Sequence, residues 1–186
     1  SILLQSMTEE IIIAGFGGQG ILSAGKFVAT AALLEGREVS WLPSYGPEMR
    51  GGTANCSVII SDHPLGSPIL NELDVLVALN GPSLAKFEKM VRPGGLILAD
   101  CSLVHAVPER QDIRFIPIEA SRLASEAGNM TFATIILLGC LSGATGCFGR
   151  DAFEKALYGA LPQRHHHLIP QEMALFEQGK AFAAPT

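Results

Sequence analysis

Four apolar residues in a row, Ile11-Ile12-Ile13-Ala14, begin the first patterned stretch of the chain. A continuous run of that kind suits a strand buried on both faces of a parallel sheet. It ends at Gly15. Ile21, Leu22, Gly25, Phe27, Val28 and Ala32 then supply one apolar side, which predicts a helix from Gln19 to Leu34 with Gly36 as its left-handed cap. Val39 to Leu42 reads as a second strand. From Pro43 to Gly52 the pattern gives way to turn formers. Alternation returns over Thr53–Ile60, with Ala54, Cys56, Val58 and Ile60 on one face, as in a half-exposed strand. The loop before it is too short for a crossover helix, so these two strands should run antiparallel.

Asp74 to Asn80 reads as a fourth strand. Gly81-Pro82 opens a helix carrying Leu84, Phe87, Met90 and Val91 on one face, and Pro93-Gly94-Gly95 stops it. Leu96 to Ala99, ending at Asp100, is a fifth strand, and Ile113 to Ile118 a sixth. The last third is helical: Ile118–Ala127, then Thr131–Ala144, then a helix with Phe153, Ala156, Leu157 and Ala160 at helical spacing, then Leu168–Lys180. Asp151-x-x-Glu154 resembles a capping box for the third of these. The 131–144 stretch is apolar nearly all round, which places it either at the centre of the molecule or against a second subunit. The fold class is therefore α/β: a Rossmann-like, mostly parallel sheet with helices on both faces and an antiparallel strand insertion.

Length and composition narrow the function classes. The chain of 186 residues suits one domain, and 48% apolar content supplies an ample core. A net charge of −5 without any Lys/Arg-rich stretch argues against nucleic acid and against a membrane surface. The apolar run Phe132–Leu141 is too short to span a bilayer. Ser1 to Met7 lacks the basic start and long apolar stretch of a secretory signal. Residues 1–8 are expected to be an extraneous, disordered lead-in with Met7 as the native start, and residues 9–186 one domain. Cys56, Cys101, Cys140 and Cys147 form no C-x-x-C pair, so neither a zinc site nor an iron–sulfur cluster is indicated. Buried, reduced thiols fit a cytoplasmic location.

Three stretches could carry chemistry. Gly15-Phe16-Gly17-Gly18-Gln19-Gly20 fits G-x-G-x-x-G between an apolar strand and a helix, where free N–H groups and the positive helix end suit a phosphate. A tight turn needing glycine for packing alone is the plainer reading. Classical NAD binding also wants an acid near the end of the second strand. Here that strand ends Trp41-Leu42-Pro43-Ser44, and no acid comes before Glu48. The second stretch, Ser44-Tyr45-Gly46-Pro47-Glu48-Met49-Arg50-Gly51-Gly52, brings together a phenol, a carboxylate and a guanidinium. Arg50 suits a phosphate or carboxylate, or Glu48, or a neighbouring chain. With Asn80 and Asp100, these loops should share the carboxyl edge of the sheet, where ligands of open α/β sheets sit. In the third, Arg164-His165-His166-His167, adjacent imidazoles on a helix point about 100° apart and cannot converge on one ion; a surface cluster at a helix start is expected, and no metal. No nucleophile elbow, cofactor lysine or placed carboxylate pair is visible, so no catalytic residue is assigned.

The run Ile11–Gly20, followed by Ser44–Cys56 (SYGPEMRGGTANC), closely resembles the γ subunit of 2-oxoacid:ferredoxin oxidoreductases, and Asp74–Asn80 and Pro93–Gly95 also fit. The resemblance covers about residues 9–180. It implies a Rossmann-like subunit of a hetero-oligomer that oxidatively decarboxylates a 2-oxoacid to an acyl-coenzyme A while reducing ferredoxin. Thiamine diphosphate and iron–sulfur clusters would belong to α, β and possibly δ partners. The γ chain would serve assembly and coenzyme A access, and would be inactive alone. The loop spelling leans towards 2-oxoglutarate or a branched-chain 2-oxoacid over pyruvate. On this reading Gly15, Gly17, Gly18, Gln19, Gly20, Ser44, Tyr45, Glu48, Arg50, Gly51 and Gly52 line the coenzyme A entry, or dock onto the catalytic subunits; docking is favoured for Glu48, the coenzyme for the glycine loop. A free-standing nucleotide-binding protein or NAD-dependent dehydrogenase, and a purely structural scaffold with the 131–144 helix at its interface, are the alternatives.

Overall fold

The structure, a computed structural model, describes residues 7–45, 53–66 and 72–185, with only the backbone of Tyr45. Residues 1–6, at the front of the expected lead-in, and Glu48, Arg50, Gly51 and Gly52 lie outside the described residues. β1 opens at Thr8, and the Met7 backbone exchanges bonds with Asp62: its N–H reaches Oδ2 (3.0 Å) and its carbonyl accepts from the Asp62 N–H (3.0 Å).

Six strands form one sheet in the order β2-β3-β1-β4-β5-β6. β1 (Thr8–Phe16), β4 (Leu73–Ala78), β5 (Val91–Asp100) and β6 (Arg114–Ile118) are mutually parallel. β3 (Thr53–Ser61) runs antiparallel to β1 and to β2 (Glu38–Tyr45). The mostly parallel sheet with one reversed insertion is thus present. Because successive side chains point to opposite faces, Ile11, Ile13, Val77 and Leu98 join one core, while Ile12, Leu76, Ala78 and Ile97 join another. The first core is the thick one, covered by α1 (Ile21–Leu34), α3 (Ala120–Glu126), α4 (Phe132–Thr145), α5 (Arg150–Ala160) and α6 (Ile169–Ala181). The second rests on α2 (Gly81–Phe87) through Leu84 and Phe87.

Several elements depart from the sequence pattern. β2 continues through Pro43, Ser44 and Tyr45, which were expected in a loop; Tyr45 pairs with Ala54. Pro43 is tolerated because β2 is an edge strand, where a missing N–H costs no ladder bond. The helix expected through Val91 stops at Phe87, passes through a 3-10 turn over Glu88–Met90, and yields at Val91 to β5. Pro93-Gly94-Gly95, expected as a terminator, lies inside β5. Gly94 takes φ 79°, and the pairing slips from Leu73↔Val91 to Val75↔Leu96, so the strand bulges rather than ends. Arg92 and Asp74 form an ion pair beside the bulge.

No capping box forms at Asp151 and Glu154. Gly149 is the N-cap of α5, and its N–H donates to Glu35 Oε1 (2.8 Å) at the end of α1. Asp151 lies inside the first turn, too late to cap. Arg150 instead contacts Asp151 (3.1 Å), Glu154 (3.4 Å) and Glu177 (3.5 Å).

The apolar-all-round helix is central, with Phe132 through Ser142 all buried within this chain. It meets α6 backbone to backbone. A Cβ on Gly139 would overlap the Phe176 carbonyl oxygen and lie 2.8 Å from its carbon; one on Gly179 would do the same to Ile136. The two glycines let the helices approach with nothing between them. The 131–144 face, where the scaffold reading expected a large interface, is therefore already filled by α6. No helix among the described residues is long and apolar enough to cross a membrane.

Candidate functional site

The glycine turn joins β1 to α1 at the carboxyl edge. Gly18 (φ 88°) and Gly20 (φ 78°) occupy the left-handed region, and because Gly20 does, the helix starts at Ile21 rather than Gln19. Gly20 is the N-cap and carries no side chain, so the first N–H groups of α1 lack a side-chain cap among the described residues. A Cβ on Gly17 would meet nothing within 4 Å among the described residues. Gly15 differs: a Cβ there would lie 2.5 Å from Gln19 Oε1 and 3.0 Å from Leu79 Cβ. The Gln19 amide is folded back into the turn, where Oε1 accepts from the Phe16 N–H (2.5 Å) and Nε2 donates to the Leu79 carbonyl (3.3 Å). Gln19 therefore ties the ends of β1 and β4 together, and Gly15 makes room for it. Phe16 stays 39% exposed beside the turn, an apolar residue at the rim of the carboxyl edge.

A cleft of about 520 Å³ opens next to this turn. Gly18, Gln19 and Gly20 form one wall with Ser23, and Asn129, Thr131 and Thr134 at the start of α4 form a second. Phe27, Leu79, Leu161 and Leu168 give an apolar lining, with exposed Leu103 and Met130 also in its wall. His165 and Glu172 close it from the α6 side. Glu172 is 7% exposed, and burial alone pushes its carboxyl pKa up. The sequence reading missed Glu172. Its signal was present: Ile169, Glu172, Met173 and Phe176 fall at the spacing of one helix face, so an acid interrupts an otherwise apolar stripe.

The other residues of the carboxyl edge serve the fold. Asn80 Oδ1 accepts from the Ser83 N–H (2.7 Å) and caps α2. Asp100 is fully buried and accepts from Ser121 Oγ (2.5 Å), the Ser121 N–H (3.2 Å) and the Ser102 N–H (3.2 Å). Ser44 is exposed near the end of β2, on the strand that leads into the 46–52 segment. The histidines occupy a 3-10 turn, Gln163–Leu168, ahead of α6. His166 Nε2 bonds the Leu161 carbonyl (2.8 Å) and its ring stands edge-on to Tyr158, so it is a packed residue. Of the three, His165 alone lines the cleft.

These residues fit some cofactors and not others. Burial pushes the Cys56 and Cys147 thiols up to about 12 and Cys140 up to about 11, and raises Cys101 as well. No group of three or more His, Cys, Asp or Glu that could share one ion converges among the described residues. An uncapped helix end behind two left-handed glycines, in contrast, suits a phosphate.

Fold and turn together define a Rossmann-like α/β domain with an anion-ready helix end at the carboxyl edge of its sheet. Residues 10–182 match the family model described as pyruvate ferredoxin/flavodoxin oxidoreductase, and the chain belongs to that family. The ketoisovalerate oxidoreductase subunit VorA of Methanothermobacter marburgensis is 46% identical over 139 residues, covering 75% of this chain and 29% of that protein. The chain thus spans about a third of the length of the curated ketoisovalerate relatives it matches. The γ subunit of a keto/oxoacid ferredoxin oxidoreductase from Geobacter sulfurreducens superposes with TM-score 0.83 at 29% identity, covering 95% of this chain and 98% of that one. A 2-oxoglutarate:ferredoxin oxidoreductase from Magnetococcus marinus, with 2-oxoglutarate, coenzyme A and succinyl-CoA bound, superposes with TM-score 0.85 at 26% identity, covering 95% of this chain and 31% of that one. Family membership displaces the free-standing dehydrogenase.

Proposed function

We propose that this chain is the γ component of a cytoplasmic 2-oxoacid:ferredoxin oxidoreductase, contributing coenzyme A access and assembly to a reaction performed by its partners. The observation that carries the reading is the uncapped start of α1 at Gly20, at the carboxyl edge of a domain of this family. Its N–H groups and positive dipole end would hold a phosphate of coenzyme A. Arg50, on the 46–52 segment hung between the paired residues Tyr45 and Ala54, would help neutralise the same charge. Glu48 would face a partner subunit.

The decarboxylation and electron transfer belong to α, β and possibly δ chains, which would supply thiamine diphosphate and iron–sulfur clusters and pass electrons to ferredoxin. The four cysteines are free, which supports the cytoplasmic placement. Branched-chain 2-oxoacids and 2-oxoglutarate are the favoured substrates, since relatives named for each are similar to this chain.

The test is Arg50→Ala in the assembled complex, with KM for coenzyme A and subunit composition measured together. The expected result is an intact complex whose KM for coenzyme A rises roughly tenfold, the scale of one charge-assisted hydrogen bond. An unchanged KM with loss of assembly would assign the segment to docking instead.

A further inference from the structure

The cleft beside the glycine turn holds one group that the fold leaves unexplained. Glu172 lines it from the first turn of α6, is more than nine-tenths buried, and has no hydrogen-bond or ion-pair partner among the described residues. A largely buried carboxyl whose oxygens reach only the cleft, with no partner among the described residues, points to a partner supplied through that cleft. The turn at the start of α1, a helix of 14 residues, lines the same cleft and presents N–H groups with no side-chain cap. One wall therefore suits an anion and another a cation. Between them lie Phe27, Leu79, Ala133, Ile135, Leu161 and Leu168.

We infer that this cleft binds a small zwitterion with an apolar body. Its ammonium donates to the Glu172 carboxylate, and its own carboxylate rests on the N-terminal turn of α1. A simple amine would meet the positive end of α1 with nothing to offset it. A simple carboxylate would leave Glu172 unpaired. A molecule bearing both charges satisfies both walls, and the lining accepts the hydrocarbon between them. Coenzyme A, polyanionic and without an ammonium group, leaves Glu172 unanswered, and the two ligands would compete for the same N–H groups at the start of α1.

The experiment titrates the isotope-labelled 186-residue chain with four probes, followed by amide chemical shifts. L-Leucine and 6-aminohexanoate offer two spacings of the charge pair; hexanoate and hexylamine each carry one charge. The expected result is that a zwitterion shifts Gly18, Gly20, Thr134 and Glu172 and binds at least about tenfold more tightly than either singly charged probe, the scale of one charge-assisted hydrogen bond. Glu172→Gln then lowers its affinity to that of hexanoate. Ser23→Trp, at an exposed position of α1 on the cleft wall, blocks every probe. Hexanoate binding as tightly as both zwitterions, affinity indifferent to Glu172→Gln, or no shift at the solubility limit of all four probes overturns the proposal. If Glu172→Gln does not fold, the four-probe comparison in the parent and the Ser23→Trp block decide it.

Discussion

Gly15→Ala probes the turn most directly, because the structure says which side chain it would displace. A Cβ at this position falls 2.5 Å from Gln19 Oε1, so Gln19 must leave the turn. Its departure breaks the bonds to the Phe16 N–H and the Leu79 carbonyl. At about 0.5–1.5 kcal/mol net for each hydrogen bond, the loss is about 1–3 kcal/mol. Alanine also restricts the unfolded chain and returns about 0.4–1 kcal/mol. A net destabilisation of about 1–2 kcal/mol follows, a fall in Tm of roughly 2–8 °C for a chain of this size. Urea unfolding followed by circular dichroism, with Gly15→Ala, Gln19→Ala and the double variant, tests the mechanism as well as the magnitude. Gln19→Ala alone should cost about 1–3 kcal/mol through the same two bonds. With Gln19 already gone, Gly15→Ala has less left to displace. The double variant should therefore cost about 1–2 kcal/mol less than the sum of the singles, a coupling typical of residues in contact. Additive penalties would refute the argument and place the cost of Gly15→Ala on Ile21 or Leu79 instead.

Two further changes test the scaffold. Gly139→Ala drives a methyl into the Phe176 backbone, which cannot rotate away, so α4 and α6 must part; we expect a loss of about 1–3 kcal/mol by denaturant unfolding, whereas Gly17→Ala, with no described residue within 4 Å of the added methyl, stays within about 0.5 kcal/mol. Glu9 gives a pH signature: burial first, then the charge of Asp74, raise its pKa from 4.5 to about 7, with Arg92 opposing. Between those values the unfolded chain gives up its proton while the folded chain keeps it, so this residue's contribution to stability is full below pH 4.5 and is lost as pH rises to about 7. Glu9→Gln should gain Tm relative to the parent across that window and hold a constant advantage above it; a difference independent of pH would show that Glu9 is not the titrating group.

The order and direction of the elements were readable because the core dictates them. A run such as Ile11–Ala14 has both faces buried, and only a strand between two packed layers explains that. The short link from β2 to β3 fixed their antiparallel pairing, since no crossover fits between them. What escaped the pattern depends on partners distant in sequence. Pro43 reads as a breaker until β2 is known to be an edge, and Pro93–Gly95 as a terminator until the neighbouring strand is seen to absorb a bulge. Glu35 accepts from the N-cap residue of a helix more than a hundred residues away, which no local motif announces. At the candidate site, the glycines and the helix behind them were legible, while the inward fold of Gln19 and the burial of Glu172 depend on β4 and on the packing of α6 against α4.

The sheathing of α4 has a dynamic consequence. A helix enclosed by the sheet on one side and by α6 on the other exposes its amides to solvent only when the whole domain opens, so its hydrogens should exchange at the global unfolding rate while the outer helices exchange sooner. The cleft is framed at one end by the first residues of this slowest-exchanging segment. A guest arriving there meets walls that are already set, and little of its binding energy is spent on ordering the host.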